Sequence, residues 1–359
     1  MKKLLTLVLV LALTASLAVG AAMAEGEPLK IICLLNGTLG DKSFFDSAAA
    51  GIALINENVE NVEATYVEMG YDSAVWATTL ADVSDGDYDI IIVGTYQLQD
   101  PLQEIAPQYP DNKYIIFDSN VDYSAGDCDN VYSISFKQNE ASYLAGALAA
   151  MLAEQEGKNT ISAVGAMEIP VINDFIVGYI QGATDYNPDI KVITSYVGNF
   201  NDTAIAKELA EIQINNGACV CFNVASQAGL GMLEAAAEGG VYAIGVDADQ
   251  AEALAGDGKT DVAEHIVSSV LKNIDQVLLY SVQRHVEGTL PYGTEEPLGM
   301  VEKAVGLADN EDYYRAMTTE DMRAKIDALA EKINGGEIDV LSAFDEDFDA
   351  AAYIAAVAP

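Results

Sequence analysis

Residues 29–42 read Leu-Lys-Ile-Ile-Cys-Leu-Leu-Asn-Gly-Thr-Leu-Gly-Asp-Lys, and a helix-like stretch at 43–56 follows directly. The opening seven residues form a short, almost continuously apolar run, which is typical of a strand buried on both faces of a parallel sheet. The glycines after it suit a tight loop, and Asp41 or Ser43 can cap the following helix. This stretch predicts a strand–loop–helix unit, and the same unit recurs along the chain.

Strand and helix patterns alternate in two blocks. The first block has strand candidates at 29–35, 63–67, 89–93, 114–117 and 131–135, and helix candidates at 43–56, 73–84 and 100–108. After a long Ala- and Leu-rich helix at 138–155, the second block has strands at 160–164, 191–196, 219–224 and 243–246, and helices near 172–186, 202–215 and 229–238. Further helices are predicted at 263–287 and 319–334. Two such blocks predict an α/β protein with two parallel-sheet lobes and a ligand cleft between them.

The composition excludes several classes of protein. The 359 residues correspond to about two domains, and a hydrophobic content of 51% is enough for buried cores. The chain has 17 Lys and Arg against 56 Asp and Glu, a formal net charge of −39. Because this charge repels phosphate backbones, no nucleic-acid partner is expected. It also disfavours anionic ligands unless a local site overrides the overall field.

Residues 1–24 have the pattern of a signal peptide. Lys2 and Lys3 precede an apolar stretch, and Ala22-Met23-Ala24 forms an A-x-A cleavage site. No later apolar run is long enough to span a bilayer, so we expect no direct membrane insertion of the mature chain. No Cys follows the apolar stretch at once, so no lipobox is expected. These features predict an exported protein, periplasmic or secreted.

The cysteines predict buried free thiols rather than a metal site. Cys33, Cys219 and Cys221 lie in apolar, strand-like runs. The chain has only two histidines, His265 and His285, and both lie in helix-like segments. No zinc, haem or other cofactor is therefore expected.

The sequence offers little support for an enzyme. It contains no serine nucleophile elbow and no usable arrangement of Ser, Cys and His, so no catalytic residues are predicted. Gly229-Leu-Gly231-Met-Leu-Glu234 follows a strand, as a dinucleotide-binding loop would. The charge of Glu234 would oppose a pyrophosphate at that helix start, so the glycines are better explained by a tight turn.

The residues that follow each strand are the candidate site, because ligands of open parallel sheets bind outside the carboxyl ends of the strands. Asp118 and Asp247 end apolar strands, where an unpaired carboxylate would be costly. Phe44 and Phe45 are adjacent on a helix, so one of them is expected to reach the cleft, and Trp76 follows the second strand. Carboxylates and aromatic rings suit a small ligand with hydroxyls and a flat ring, although each single aromatic could instead be a core residue.

Several motifs together carry a family resemblance. They are Gly40-Asp41-Lys42-Ser43-Phe44, Glu140-Ala-Ser-Tyr143-Leu-Ala-Gly146, Tyr196-x-Gly198-x-Phe200-x-Asp202 and Gly245-Val246-Asp247-Ala-Asp249-Gln250. In this order they resemble the basic membrane protein family, the purine-nucleoside-receptor-like substrate-binding proteins of ABC importers. The resemblance covers nearly all of the chain after residue 24. It implies a type I periplasmic-binding-protein fold and a membrane permease as partner.

The resemblance also implies a ligand site. The matching positions are Asp41, Phe44, Phe45, Asp118, Phe200, Ser226, Asp247 and Lys272. In nucleoside receptors of this family, aromatic rings sandwich the base, while acidic residues and a lysine hold the ribose. Lys272 matches that lysine, with an exposed helix charge as the alternative. Asn36 and Phe45 replace the Asp and Asn of the family pattern, so the resemblance does not extend to the identity of the base.

These observations predict the organisation and the function. The N-terminal lobe is expected at 25–137, rejoined by part of 263–315, and the C-terminal lobe at 138–262, rejoined by part of 316–359. We expect an extracytoplasmic solute-binding protein that delivers a small neutral ligand, nucleoside-like in structure, to an ABC importer. The alternatives are an exported nucleoside-processing enzyme and a ligand sensor that use the same cleft.

Overall fold

The structure is a computed structural model that describes residues 27–359, and the predicted signal peptide at 1–24 lies outside the described residues. The strands of the described part are β1 (Leu29–Leu35), β2 (Val62–Glu68), β3 (Ile90–Gly94), β4 (Lys113–Phe117), β5 (Val131–Phe136), β6 (Thr160–Gly165), β7 (Lys191–Tyr196), β8 (Val220–Val224), β9 (Tyr242–Asp247), β10 (Ile266–Lys272), β11 (Thr294–Leu298) and β12 (Val305–Leu307). The α-helices are α1 (Phe44–Asn58), α2 (Trp76–Ser84), α3 (Gln99–Ile105), α4 (Gln138–Gln155), α5 (Pro170–Tyr186), α6 (Thr203–Asn215), α7 (Gly229–Gly239), α8 (Gln250–Gly256), α9 (Thr260–Ala263), α10 (Ile274–Val286), α11 (Tyr314–Met317), α12 (Glu320–Asn334) and α13 (Ala350–Ala356).

The strands form two six-stranded sheets, one in each lobe. The orders are β11-β5-β4-β3-β1-β2 and β12-β10-β9-β8-β6-β7. All neighbouring strands run parallel except β10 and β12, which are antiparallel. The predicted α/β fold of two parallel-sheet lobes is confirmed.

Strand β1 shows why the apolar runs become central strands. Ile31 and Cys33 belong to one core cluster, while Ile32 and Leu34 belong to a second cluster. Successive side chains of a strand point to opposite faces, so a continuous apolar run serves a sheet that is covered on both sides. The chain places β1 between β2 and β3, and its carboxyl end therefore lies at the point where the strand order reverses.

The predicted helix at 263–287 is wrong in its first half. Strand β10 occupies Ile266–Lys272, and helix α10 begins only at Ile274. Ser268 and Ser269 lie inside this strand, where both side chains are fully buried and both hydroxyls are hydrogen-bonded within the protein. Pairing with β9 and β12 satisfies the backbone of this stretch, and that pairing is invisible in the local pattern.

The chain crosses between the lobes in neighbouring segments. The crossings lie at Lys137, at Asn273 and at 299–304, and they are hydrogen-bonded to one another. The Lys137 N–H donates to the Leu298 carbonyl at 2.9 Å, and the Asn273 N–H donates to the Ala304 carbonyl at 2.8 Å. Bundled crossings of this kind form a hinge about which two lobes can rotate.

The four cysteines Cys33, Cys128, Cys219 and Cys221 are free and buried, so the prediction of buried thiols is confirmed. Within residues 27–359, no helix has the length and apolar character needed to cross a membrane.

Helices α4 and α5 of the second lobe approach each other so closely that their backbones touch. A Cβ added at Gly146 would lie 1.8 Å from the carbonyl oxygen of Tyr179, and one added at Gly182 would lie 1.9 Å from that of Tyr143. Backbone atoms cannot swing aside as the end of a side chain can. These glycines therefore set the distance between the two helices.

We expect Gly146→Ala to lower the free energy of unfolding by about 3 kcal/mol, because the added methyl forces α4 and α5 apart. Urea denaturation followed by circular dichroism measures the change. Gly256→Ala at the end of α8 is the matched control, since a Cβ there meets no atom within 4 Å. It should alter stability by about 1 kcal/mol or less, and equal effects of the two changes would contradict the packing argument.

Candidate functional site

A cavity of about 70 Å³ lies between the facing carboxyl ends of the two sheets, with walls from both lobes. Its polar side chains are Asn36, Thr95, Gln97, Asp118, Ser226, Asp247 and Lys272. Its aromatic side chains are Phe44, Phe45, Tyr71, Tyr96, Phe175 and Phe200. The cavity sits at the reversal of strand order in each sheet, where α/β proteins bind ligands.

Four residues at the ends of strands have left-handed backbone without being glycine. Their φ angles are +70° at Thr95, +60° at Asp118, +46° at Ser226 and +64° at Asp247. They end β9 or follow β3, β4 and β8 within two residues, and all four line the cavity. Such conformations cost about 1–3 kcal/mol each and cluster at functional sites, where the surrounding structure holds them. Their convergence on one cavity identifies it as the candidate ligand site.

The centre of the site is an ion pair between the lobes. Lys272 at the end of β10 lies with its Nζ 2.5 Å from Oδ1 of Asp118, which follows β4, and the two side chains are only 2% and 11% exposed. The ammonium group also lies 4.8 Å from the ring centroid of Phe175 and 5.2 Å from that of Phe136. The ring faces and the carboxylate replace the water that surrounds an exposed lysine. Lys272 is thus a buried residue of the site and not an exposed helix charge.

A second carboxylate, Asp247, lies near this pair and accepts a hydrogen bond from the hydroxyl of Ser43 in the opposite lobe. Burial raises the pKa of Asp247 to about 6, although the positive charge of Lys272 acts in the opposite direction. Burial also raises the pKa of Asp118, again against the effect of Lys272. The positive charge of one lysine is therefore shared between two carboxylates.

Asp41 has a structural role beneath the cavity. Its carboxylate accepts hydrogen bonds from the backbone N–H groups of Ser43, Phe45 and Asp46, at the start of helix α1. It also accepts from the hydroxyl of Ser226 in the second lobe at 3.1 Å. Burial raises the pKa of Asp41. Asp41 contacts a residue of the cavity wall without lining the cavity itself.

The aromatic part of the site is built from both lobes. Phe44 stacks on Phe117 with ring centroids 5.5 Å apart, and Phe45 stands edge-on to Phe44 at 5.3 Å. Phe175 of α5 and Phe200 after β7 come from the second lobe. The adjacent phenylalanines 44 and 45, both of them predicted site residues, line the cavity, because the helix begins at the cavity wall.

The structure brings most of the predicted site residues together and places two of them elsewhere. The cavity wall contains the predicted residues Phe44, Phe45, Asp118, Phe200, Ser226, Asp247 and Lys272, while Asp41 lies beneath it. Trp76 packs in the second core cluster, and its Nε1 donates to the Gly70 carbonyl at 2.9 Å. The position of this tryptophan after a strand predicted a contact with the ligand. The ring is instead buried against apolar side chains of β1 and β3.

The predicted set omits several residues of the wall. Asn36 and Thr95 directly follow β1 and β3, so their position after a central strand was a usable signal. Gln97 belongs to the same loop as Thr95. Phe175 lies on helix α5, away from any strand end, and only the packing of that helix across the cleft shows that it lines the cavity.

Two parallel-sheet lobes, a hinge of crossing segments and a cavity between facing strand ends define the class of type I periplasmic-binding proteins. Residues 29–340 match the family of PnrA-like ABC transporter substrate-binding proteins, called Bmp. The chain belongs to this family, which confirms the resemblance seen in the sequence. The family consists of substrate-binding proteins rather than enzymes, and its structural neighbour from Aeropyrum pernix K1 is a solute-binding protein.

Known proteins resemble the chain over most of its length. Basic membrane protein A of Borreliella burgdorferi is 30% identical over 348 residues, which cover 95% of this chain and 96% of that protein. The crystal structure of a solute-binding protein of an ABC transporter system from Aeropyrum pernix K1 has a TM-score of 0.77 at 26% identity, covering 92% of this chain and 100% of that one. An Agrobacterium vitis solute-binding protein bound with alpha-D-tagatopyranose shares the fold, with a TM-score of 0.61 at 16% identity, covering 82% of this chain and 98% of that one.

We expect the protein without ligand to become more stable as the pH falls from 7.5 to 5. Asp247, with its pKa raised to about 6, takes up a proton in the folded state over this range, whereas the unfolded chain does so only near the ordinary value of 3.8. Stability therefore rises as the pH falls through 6, by about 1 kcal/mol for this group. Asp174, whose pKa burial also raises to about 6, adds a contribution of the same sign.

Urea unfolding at pH 5, 6 and 7.5 tests this dependence. Asp247→Asn keeps an acceptor for Ser43 but cannot titrate. Between pH 7.5 and pH 5, the free energy of unfolding of this variant should therefore increase by about 1 kcal/mol less than that of the parent protein. Asp312→Asn removes an exposed carboxylate and should leave the rise intact. If Asp247→Asn had the same pH dependence as the parent protein, the buried carboxylate would not titrate in this range.

Proposed function

We propose that this protein binds a neutral nucleoside, or a molecule of that kind, outside the cytoplasm and passes it to the permease of an ABC importer. The proposal rests above all on one observation. A single cavity combines aromatic rings from both lobes with the Lys272–Asp118 ion pair and the carboxylate of Asp247. The pattern of a signal peptide at residues 1–24 and membership of a transporter family support the location and the permease.

The charged part of the site suits the ribose. A carboxylate accepts hydrogen bonds only, and the ammonium group of Lys272 donates only, so Asp118 and Asp247 need hydroxyl donors from a ligand. Vicinal hydroxyls can donate to the carboxylates and accept from the lysine. A phosphate group would instead meet the carboxylates as a like charge in a buried place.

The aromatic part suits a flat base, and Asn36 supplies a polar contact for its edge. Asn36 is 2% exposed, and its Nδ2 donates to Thr95 Oγ1 at 2.8 Å and to Gln97 Oε1 at 3.1 Å. Its Oδ1 has no hydrogen-bond partner among the described residues. A buried acceptor without a partner costs about 1–3 kcal/mol, so a ligand with an N–H group on its ring would gain from pairing with it.

Besides the Lys272–Asp118 ion pair, a hydrogen bond and a second ion pair link the lobes across the cleft. Tyr71 donates to Oε1 of Gln227 at 3.0 Å, and Lys42 forms an ion pair with Asp257 at 2.8 Å. Ligand pockets usually have volumes of about 300 Å³ or more, and the cavity here has about 70 Å³. Ligand entry therefore requires these links to open and the lobes to move about the hinge.

A thermal-shift screen over nucleosides, bases, sugars and amino acids tests the ligand class, because a bound ligand raises the melting temperature by mass action. Calorimetry then compares the best nucleoside with its monophosphate, which should bind at least about thirtyfold more weakly because of the buried carboxylates. Sugars are in the panel because a protein of the same fold holds tagatose. Shifts with sugars or amino acids alone, or tighter binding of the monophosphate, would reject the proposal.

The role of Lys272 is tested by Lys272→Met, which should weaken nucleoside binding by about a hundredfold or more, since Asp118 then lacks its counter-charge. If Lys272→Met unfolds the protein, Asp118→Asn serves as the companion variant, because it breaks the same ion pair by removing the charge of the partner. Lys259→Met, which breaks an exposed ion pair with Glu234, is the control and should bind as the parent does. If both site variants bound the nucleoside with unchanged affinity, the Lys272–Asp118 ion pair would not belong to the ligand site.

Asn36→Leu tests the contact with the base. Inosine and adenosine carry N–H donors on the base, whereas purine riboside carries none, so the parent protein should prefer the first two by about tenfold. The variant should lose this preference while it binds purine riboside as well as the parent does. A preference that survives Asn36→Leu would show that another group recognises the base.

A further inference from the structure

A second and larger space adjoins the ligand cavity near the hinge, and we call it the vestibule. It has a volume of about 930 Å³ and walls from both lobes. Tyr96, Asp118 and Val171 line the vestibule and the ligand cavity alike, so the two spaces share a wall. Phe344, which is 55% exposed, lies at the vestibule and shows that this space opens to solvent.

The vestibule is strongly acidic. Besides Asp118, its wall contains the carboxyl groups of Glu140, Asp174, Glu295, Asp339 and Asp345. Lys137 is the one basic residue of the wall among the described residues. Glu295 already accepts hydrogen bonds from Asn120 and Ser135, but no described hydrogen bond or ion pair occupies the carboxylates of Asp339 and Asp345.

A buried polar group in the same wall also lacks a donor. Gln138 is 1% exposed, and its Nε2 donates to Oδ2 of Asp174 at 2.6 Å. Ser342 donates to the other oxygen of Asp174 at 2.6 Å. The Oε1 of Gln138 has no hydrogen-bond partner among the described residues. The wall thus combines excess negative charge with an acceptor that has no partner, and both features favour an occupant with N–H donors and positive charge.

We propose that the vestibule holds a protonated amine attached to the ribose of the bound ligand, so that the protein accepts nucleosides extended at the 5′ position by a cationic chain. This inference rests on the proposed function, because Asp118 is one of the two carboxylates that the proposal assigns to the ribose and is also one of the residues shared by the two spaces. The ribose end of the ligand therefore faces the vestibule, and the base faces Asn36. A chain from the 5′ carbon leaves the cavity through the shared wall.

The experiment is calorimetry on the full chain with adenosine and three 5′-extended analogues. The analogues carry the same uncharged propyl ether linker and end in an amine, a hydroxyl or a carboxyl group. The amine should bind about tenfold more tightly than the hydroxyl analogue, and the carboxyl analogue more weakly than either. The preference should shrink as salt is raised, since part of the wall is exposed.

The double variant Asp339→Asn/Asp345→Asn tests the wall itself. Neither residue lines the ligand cavity, so adenosine should bind unchanged, while the preference for the amine falls at least about threefold. The control Asp82→Asn/Asp85→Asn removes two carboxylates on and just after α2, outside the vestibule wall, and should retain the preference. Equal behaviour of the two double variants would overturn the inference.

The outcomes separate the inference from the proposed function. If adenosine binds but the three analogues bind equally, or none of them binds, the vestibule does not hold a cationic chain and the proposed function stands. If the analogues and every nucleoside of the thermal-shift panel fail to bind, the proposed function fails and the inference fails with it. Tight binding of the amine analogue that is lost in the Asp339/Asp345 variant supports both.

Discussion

The structure depends on one electrostatic constraint, a single buried lysine between the lobes that is surrounded by more carboxylates than it can neutralise. Lys272 pairs with Asp118 at 2.5 Å, and Asp247 lies in reach of the same charge. Burying such groups costs several kcal/mol per ion, and one partner repays the cost only in part. The site therefore keeps an electrostatic cost, and under the proposed function hydrogen-bond donors from a ligand relieve it when the lobes close.

The fold makes this constraint possible because both sheets have the same strand order and face each other at equivalent points. Strand order reverses at β1 in one sheet and at β6 in the other, and the carboxyl ends there leave a space between the adjoining loops. Left-handed backbone at Asp118 and Asp247 turns the chain sharply at the end of each strand. The side chains are thereby held at the lobe interface rather than carried away along the following loop.

The errors in the sequence-based predictions have a common cause. The segment 263–287 was expected to be one helix because its apolar residues fit a helical spacing, yet strand β10 forms where β9 and β12 offer pairing partners from distant parts of the chain. Trp76 was expected at the cleft because it follows a strand, yet the core cluster beside it buries the ring. In both cases long-range contacts decided between local structures that the sequence pattern permits equally.

The sequence by itself determined the class of fold, since apolar runs such as 29–35 suit only strands covered on both faces, and it determined most of the residues after those strands that line the cavity. Only the tertiary structure decided that β10, β11 and β12 return to complete the two sheets, that Lys272 is buried against Asp118, and that Phe175 reaches the cavity from a helix. The reason is physical: burial on two faces leaves a local pattern in the chain, whereas a contact between lobes joins residues far apart in sequence and leaves none.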